Sequence, residues 1–216
     1  MLNDETNFEK LITILKNIDP DAALPGMLRG KLWNEMQVRP EQADVSVLEH
    51  EGEKPKNAYY VVTGFVMVYG YDDKTDEYVW RIYPPGTIVA LNCFMHRKRS
   101  LYTIKASKKA LVWSVGADVM KDIYDSMEGM REFALQTASE YDNRMERGRN
   151  VLLALDADNR VRKFYMYYPV LLPAKRSPVS DDAIASFLVL TKFQLQRIRS
   201  KLLRSRFLKI RALGEK

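Results

Sequence analysis

A chain of 216 residues with 46% hydrophobic and 29% charged residues can bury one large or two small cores, which excludes an intrinsically disordered protein. Its net charge is +6, and its single cysteine excludes an internal disulfide framework and fits a reducing cytosol. No apolar run approaches the roughly 18 residues of a membrane span, and the N-terminus lacks the pattern of a signal peptide. The sequence therefore predicts a cytoplasmic protein without membrane association.

The patterning changes from helical to strand-like near residue 36. Over residues 1–35 apolar side chains recur at helical spacing, and Pro20 and Pro25-Gly26 interrupt them. Five short segments rich in β-branched and aromatic residues follow, separated by turn signals such as Asp72–Thr75: residues 45–48, 58–62, 65–69, 78–83 and 110–115. Short strands at even intervals predict an antiparallel β-roll of the jelly-roll type, so the predicted fold class is α+β.

Helical patterning returns after Gly116. A short helix is predicted over residues 117–125 and a long one over residues 127–155. The long helix carries an apolar stripe at three- and four-residue spacing: Met130, Phe133, Ala134, Thr137, Ala138, Tyr141, Met145, Gly148, Leu152 and Leu155. The stripe fits a cover for the β-roll, or the seam of a symmetric homodimer in which Ala138 and Gly148 allow close approach. We favour the dimer.

A break at residues 156–159 predicts a boundary after the long helix. Asp156 offers an N-cap, and a helix over residues 161–168 is predicted to follow and to stop at Pro169. The predicted organisation is a roll with flanking helices, a long dimerisation helix and a helical C-terminal domain: residues 1–125, 126–155 and 156–216.

The segment from Ser180 to Leu203 has the pattern of a helix-turn-helix. Ser180 can cap a short helix that ends near Leu188, and Thr191 can cap a second helix with apolar inward positions. The outward face of the second helix carries Lys192, Gln194, Gln196, Arg197, Arg199 and Lys201. Because Arg and Lys pair with guanine edges and Gln with adenine, this face predicts entry into a DNA major groove.

Positive charge is concentrated in the same part of the chain. Residues 190–216 hold nine basic residues and one acidic residue, a net charge of +8, so the other 189 residues carry −2. Charge placed in this way is typical of a nucleic-acid-binding surface. It disfavours the alternative interpretation, a helical hairpin with a solvated basic face.

The helix-turn-helix residues also resemble a known family. The run Ile184–Thr191, followed by Leu195-x-Arg197-Ile198-Arg199, resembles the I-A-x-x-L-G-(I/C)-(T/S)…(L/V)-x-R-I pattern of Crp/Fnr-type bacterial transcription regulators. Two positions depart from it: Val189 replaces the usual turn glycine, and Phe193 stands where many members have an acidic base-reading residue. Since β-branched residues disfavour positive φ, we expect Val189 not to adopt a left-handed conformation.

The resemblance extends from about residue 45 to residue 203 and implies a cyclic-nucleotide-binding β-roll, in which an arginine and backbone amides hold the phosphate and a glutamate holds the ribose. The candidate effector-pocket residues implied here are Gly86, Leu91, Arg99 and Ser100. Leu91 replaces the glutamate and cannot accept a hydrogen bond from a ribose. Arg99-Ser100 lies one residue early relative to Ala106, and such a slip turns a strand residue to the other face. We therefore expect a pocket that is ligand-free or adapted to an effector other than a cyclic nucleotide.

Catalytic and metal-binding patterns are missing from the sequence. Neither a Ser/His/Asp, an HExxH nor a phosphate-loop pattern occurs, so the protein is expected not to be an enzyme. An iron–sulfur cluster needs several cysteines, and the chain has one, Cys93. The expectation is no cofactor and no metal, with haem held by Cys93 and His96 as a minority alternative.

Together these observations predict a homodimeric, sequence-specific transcription regulator that binds double-stranded promoter DNA, with RNA polymerase as a further candidate partner. Lys192, Gln194 and Arg197 are predicted to contact base edges. The predicted phosphate contacts are Ser180, Thr191, Arg199, Lys201 and Arg204, with the basic tail after Arg204 lying along the phosphates. The alternative is a small-molecule sensor, of a cyclic nucleotide or haem, whose helical head binds protein rather than DNA.

Overall fold

The computed structural model describes residues 2, 4–20, 24–72, 76–172 and 177–204, and it has the predicted α+β fold. The helices in this part of the chain are α1 (Glu5–Ile18), α2 (Gly26–Glu35), α3 (Asn92–Met95), α4 (Ala117–Ser126), α5 (Met130–Leu153), α6 (Ala157–Tyr167), α7 (Asp181–Phe187) and α8 (Lys192–Arg204), with a 3-10 turn at Pro169–Leu171. The strands are β1 (Gln37–Arg39), β2 (Ser46–Glu49), β3 (Asn57–Thr63), β4 (Val66–Tyr71), β5 (Glu77–Tyr83), β6 (Ile88–Val89), β7 (Thr103–Ala106) and β8 (Leu111–Gly116). The predicted turn at Asp72–Thr75 and the basic tail after Arg204 lie largely outside the described residues.

The N-terminal region forms two helices that pack against each other. Asp4 caps α1 by accepting a hydrogen bond from the backbone N–H of Asn7 at 3.0 Å. The predicted interruption is confirmed, since α1 ends at Ile18 and α2 begins at Gly26. The rings of Phe8 and Trp33 meet edge-on with their centroids 4.9 Å apart, which joins the two helices.

The strands form two four-stranded antiparallel sheets in the orders β1-β8-β3-β6 and β2-β7-β4-β5. Inward side chains of both sheets make one apolar cluster, which includes Val61 and Val112 from the first sheet and Val66 and Ile104 from the second. The five predicted strands are confirmed as β2, β3, β4, β5 and β8. The other three have two to four residues, too few to show a period, and pairing with longer neighbours places them.

The long helix α5 buries its apolar stripe within its own chain. Its buried residues are Met130, Phe133, Thr137, Ala138, Tyr141 and Leu152. The outward line of the helix is exposed and polar: Glu132, Gln136, Ser139, Asn143, Arg147 and Asn150. Gly129, with φ of 75°, separates α4 from α5, so the helix begins three residues later than predicted. These six stripe residues pack within the chain, as expected for a cover, and the homodimer that we favour stays a prediction.

The C-terminal helices dock on an edge of the roll. One hydrophobic cluster combines Met67, Val79 and Ile82 of the roll with residues of α5, α6, α7 and α8. Strand β5 is the edge of its sheet, and the N–H of Val79 donates to the hydroxyl of Ser186 on α7 at 2.8 Å. This bond satisfies an edge N–H that would otherwise be unpaired. Among the described helices, none is long and apolar enough to cross a membrane.

Candidate functional site

Two capped helices and a tight turn make up the helix-turn-helix. The hydroxyl of Ser180 accepts from the backbone N–H of Ala183 at 3.2 Å and caps α7. Thr191 and Gln194 bond reciprocally: the Gln194 N–H donates to the Thr191 hydroxyl at 3.2 Å, and the Thr191 N–H donates to the Gln194 side-chain oxygen at 2.8 Å. This is a capping box, which fixes the start of α8. Both predicted caps are confirmed.

Val189 occupies the turn in a left-handed conformation, with φ of 53°. The prediction that this residue avoids positive φ is therefore wrong. The N–H of Val189 donates to the carbonyl of Ser186 at 3.1 Å, and the N–H of Leu190 donates to the carbonyl of Ala185 at 2.9 Å. These bonds close the end of α7 as a left-handed residue does at many helix ends. The Val189 side chain is 61% exposed, and the closed turn overrides its own preference.

Arg160 on α6 connects the turn to the end of the long helix. Its guanidinium donates to the carbonyl of Leu188 at 2.8 Å, to that of Leu155 at 2.9 Å and to that of Leu153 at 3.2 Å. It thereby satisfies carbonyls at the ends of α5 and α7 with one side chain. Sequence analysis missed this residue because a single arginine on a mixed helix gives no pattern. It positions the head, which we define as helices α6, α7 and α8, relative to α5.

Arg199 is predicted from the sequence to contact phosphate, but the structure buries this residue inside the head. Its guanidinium is 6% exposed and donates to both carboxylate oxygens of Asp181 at 2.7 Å each, and to the hydroxyl of Tyr165 at 3.2 Å. The hydrogen bonds from Arg199 lower the pKa of the Asp181 carboxyl below its ordinary value. Arg199 therefore ties α8 to α7 and α6 and lies inside the head instead of on its outward face.

The other predicted DNA contacts are all exposed on the head, and we call this set of residues the α8 surface: Ser180, Thr191, Lys192, Gln194, Arg197, Lys201 and Arg204. Lys192 pairs with Asp182 at 2.8 Å and Lys201 pairs with Asp158 at 2.6 Å. Exposed pairs of this kind are weak, so a phosphate can compete for either lysine. Within the described part of the chain, Arg197 has no ion-pair or hydrogen-bond partner.

The four candidate effector-pocket residues, which we call the cassette, are placed apart from one another. Gly86 lies in the turn after β5 with φ of 77°, and its N–H donates to the carbonyl of Val61 at 2.8 Å. Leu91 is 4% exposed and packs in the apolar cluster of the roll, where Tyr59 and Tyr83 are also buried. An apolar side chain in that position offers no acceptor to a ribose.

The arginine and serine of the cassette face opposite ways. Arg99 is exposed and donates to the carbonyl of Gly52 at 2.7 Å. Ser100 is 2% exposed, and its hydroxyl bonds to the backbone of Tyr102 as donor at 2.8 Å and as acceptor at 3.0 Å. The guanidinium that would hold a phosphate therefore points to solvent, as a slip of one residue predicts. The residues of this cassette do not fit a cyclic nucleotide.

Buried polar groups of the roll are used internally. The carboxylate of Glu49 accepts from the Tyr59 hydroxyl at 2.7 Å and from the Lys56 and Asn57 backbone N–H groups at 3.1 and 3.0 Å. Arg81 on β5 is 3% exposed and forms an ion pair with Asp142 on α5. Burial raises the pKa of the Asp142 carboxyl despite the neighbouring guanidinium. These bonds link the roll to itself and to α5.

The two candidate haem ligands lie on the short helix α3 and at its C-terminal end. Cys93 is half-buried on α3, where burial raises the pKa of its thiol, and His96 is exposed at the end of that helix. Among the described residues, no group of three or more His, Cys, Asp or Glu side chains is placed to hold a metal ion.

Part of the chain matches a known family of domains. Residues 43–127, from just before β2 to the end of α4, match the family described as "Cyclic nucleotide-binding domain". No curated protein matches the sequence at a significant level. The matched segment covers the roll without α1, α2 and β1, and α5 begins three residues after the segment ends.

Solved structures extend the similarity to the whole fold. FixK2 from Bradyrhizobium japonicum is 21% identical, with 79% of this chain and 85% of that chain covered and a TM-score of 0.63. A putative cAMP-binding regulatory protein from Silicibacter pomeroyi is 18% identical, with 91% and 88% covered and a TM-score of 0.62. The c-di-GMP-responsive global regulator CLP from Xanthomonas campestris is 14% identical, with 82% and 90% covered and a TM-score of 0.58. The roll and the helices after it thus have the fold of Crp/Fnr-type regulators, which confirms the resemblance at the level of fold.

Proposed function

We propose that this protein is a sequence-specific, DNA-binding transcription regulator of Crp/Fnr type. The observation that carries the proposal is the α8 surface, where a capped recognition helix presents basic and amide side chains to solvent. The regulatory character of the proteins with this fold, including CLP, supports it. We expect cytoplasmic location and no catalytic activity, as predicted from the sequence.

Arg197 is the proposed centre of base recognition, with Lys192 and Gln194 beside it. It is exposed, and the described residues offer it no partner that DNA must displace. Gln194 uses its side-chain oxygen in the capping box, which leaves its amide donors for a base edge. The proposed phosphate contacts are Ser180, Thr191, Lys201 and Arg204. Arg199 is not among them because it is buried.

Replacing Arg197 with alanine and comparing Lys201→Ala tests this division of roles. Arg197→Ala is expected to cost about 1–3 kcal/mol of binding free energy and to relax the sequence preference at one base pair. Lys201→Ala is expected to weaken binding to all sequences and to reduce the slope of log K against log salt by about 1. Binding of both variants to a panel of singly substituted duplexes separates these outcomes. A uniform loss for Arg197→Ala would show that it contacts only phosphate.

The proposed active form is a homodimer whose two α8 helices enter major grooves roughly 34 Å apart. Since six residues of the α5 stripe are buried in the chain, the dimer contact is expected to use the accessible apolar and small residues of the helix, such as the half-exposed Leu135 and Gly148 and the exposed Val151. Sedimentation equilibrium tests the assembly. A monomer at micromolar concentration, with and without DNA, would contradict this part of the proposal.

We further propose that the roll does not use a cyclic nucleotide and is ligand-free or takes another effector. The burial of Leu91 and the outward direction of Arg99 support this part. Equilibrium dialysis with cyclic AMP and cyclic GMP checks it, and saturable binding of either nucleotide would contradict it.

A second candidate function is a sensor whose head binds protein. Its support is two exposed apolar side chains on the head, Phe193 at 73% and Val189 at 61%. DNA binding that is absent or insensitive to salt would favour this candidate. An absorbance spectrum of protein purified from haem-supplied cells tests the haem alternative at Cys93 and His96.

A further inference from the structure

An apolar cavity of about 90 Å³ lies between the N-terminal helices, one face of the roll and α5. Side chains from separate elements line it, including Leu15 of α1, Leu32 of α2, Ile123 of α4 and both Phe133 and Ala134 of α5. Protein interiors rarely leave voids larger than a water molecule. This cavity holds roughly six to nine water-sized groups, at 10–15 Å³ each, and its apolar lining offers water few partners.

A second, larger cavity of about 320 Å³ adjoins the first. Phe94, Met95 and Met120 line both cavities, so these three side chains form the wall between them. Methionine side chains are flexible and adapt to what they pack against. The wall can therefore open without a backbone movement.

The second cavity is lined by polar side chains of mixed charge. It contains three cations and two carboxylates: Arg97, Lys121, Arg131, Asp118 and Asp125. The carboxylates already lie near two of the cations, with Arg97 4.0 Å from Asp118 and Lys121 3.4 Å from Asp125. The surplus is one positive charge, which matches a singly charged anion better than a phosphate dianion.

Tyr124, which lines this second cavity, carries an orphaned polar group. Its hydroxyl is buried and has no hydrogen-bond partner among the described residues. Burial raises the pKa of Tyr124 to about 12, so the hydroxyl keeps its proton and remains a donor at neutral pH. The guanidinium of Arg131 lies 6.0 Å from the centre of the same ring. A buried donor without an acceptor calls for an explanation, and a bound ligand provides one.

We propose that the two cavities form one binding site for a single-chain carboxylic acid of about eight carbons, a length set by the volume of the apolar cavity. The alkyl chain occupies the apolar cavity, and the carboxylate lies against Arg131 and the hydroxyl of Tyr124. The site is separate from the cassette residues Leu91, Arg99 and Ser100. Because α5 contributes Phe133, Ala134 and Thr137 to the lining, the ligand contacts the helix that leads to the head. This names an effector class for the proposed function, and only its effect on DNA binding rests on that function.

Binding of octanoate, 1-octanol and acetate tests the roles of the apolar cavity and of the charged cavity separately. With the full chain and without DNA, octanoate is expected to raise the melting temperature saturably and to give calorimetric heat with a stoichiometry of one per chain. 1-Octanol is expected to bind at least about tenfold more weakly because it lacks the charge, and acetate to give no shift because it lacks the chain. Equal shifts with octanoate and 1-octanol, or none with octanoate, overturn the proposal.

Variants locate the ligand. Ala134→Leu is expected to fill the apolar cavity and abolish octanoate binding, and Gln136→Leu on the exposed face of α5 to leave it unchanged. Arg131→Gln and Tyr124→Phe, which keep the apolar cavity, are each expected to weaken octanoate while leaving 1-octanol unchanged. Arg147→Gln, on the same helix outside both cavities, is the matched control. Octanoate binding that survives both Arg131→Gln and Tyr124→Phe unchanged overturns the assignment, whether or not Ala134→Leu folds.

The regulatory consequence is measured separately as the affinity of the chain for a DNA duplex that it selects, with and without octanoate. A change in affinity that Ala134→Leu removes supports an effector role, and an unchanged affinity rejects that role. Failure to select any DNA rejects the proposed function and leaves the calorimetric result on the acid standing.

Discussion

The roll and the head each hold an arginine against an aspartate, and the two pairs differ in their effect on the carboxyl group. In the roll, Arg81 meets Asp142 of α5, and burial raises the pKa of Asp142. In the head, Arg199 donates two hydrogen bonds to Asp181, and these lower the pKa of Asp181. The guanidiniums are 3% and 6% exposed, so both arginines depend on their carboxylates.

The difference shows how each region uses its charges. Arg81 pairs with Asp142 of α5 and Glu49 accepts from Tyr59, so these two charges of the roll are bonded within the chain. The head buries one cation, Arg199, to align α7 with α8 and leaves Arg197 to solvent. Charge in the roll therefore holds the structure together, and charge on the head is free to meet a partner.

The largest expected effect comes from breaking the pair in the roll. Asp142→Ala removes the oxygen acceptor of Arg81 and leaves the buried guanidinium without this partner, and we expect the free energy of unfolding to fall by about 3 kcal/mol. Urea unfolding measures this change. The double variant Arg81→Met/Asp142→Leu is the control, because replacing both charges with apolar side chains is expected to restore most of the loss. A loss that persists in the double variant would show that packing, not the stranded charge, causes it.

A smaller effect concerns strain at the turn of the head. Val189→Gly relieves a β-branched residue at φ of 53°, and we expect a gain of about 1 kcal/mol in the free energy of unfolding after the entropy cost of glycine is subtracted. Thermal unfolding measures it, with Val170→Gly at an exposed position as the control that should not stabilise. A destabilised Val189→Gly variant would contradict the left-handed turn.

The smallest effect is the pH dependence of the two pairs, which is expected to have opposite signs. Asp181 has a lowered pKa in the folded state, so its stabilisation is present above the unfolded value near 3.8 and is lost as the pH falls through the folded value. Asp142 has a raised pKa, so its ionisation costs stability as the pH rises above 3.8. As the pH rises, the cost of Asp181→Asn should grow in the region below 3.8, and the cost of Asp142→Asn should shrink in the region above 3.8. Slopes of the same sign would contradict the comparison.

The sequence predicts the elements with strong periodicity and the caps with suitable residue types. Ser180, Thr191 and the strands of five or more residues follow local rules, and the structure confirms them. Val189 does not, because the hydrogen bonds that close the turn outweigh the preference of a single residue. Local propensity predicts the helix-turn-helix, but it does not predict the left-handed conformation of Val189 in the turn.

Contacts between elements determine which side chains are buried and what they bond to, and the sequence pattern does not indicate these contacts. Arg199 and Arg197 lie two positions apart on one helix, and only the presence of Asp181 and Tyr165 determines which of them is buried. Arg160 bonds to carbonyls of two other elements, and no spacing within α6 indicates them. The spacing of the α5 stripe fits two structures, and the contacts of its six buried residues within the chain become visible only in the fold.

Selection of bound sequences from a random duplex library tests the central claim most directly. It is done at two salt concentrations without any nucleotide. We expect enrichment of an inverted repeat whose half-sites are about one helical turn apart, with less DNA retained at the higher salt. The absence of any enriched sequence, both without nucleotide and with cyclic AMP or cyclic GMP, would contradict DNA recognition by the α8 surface.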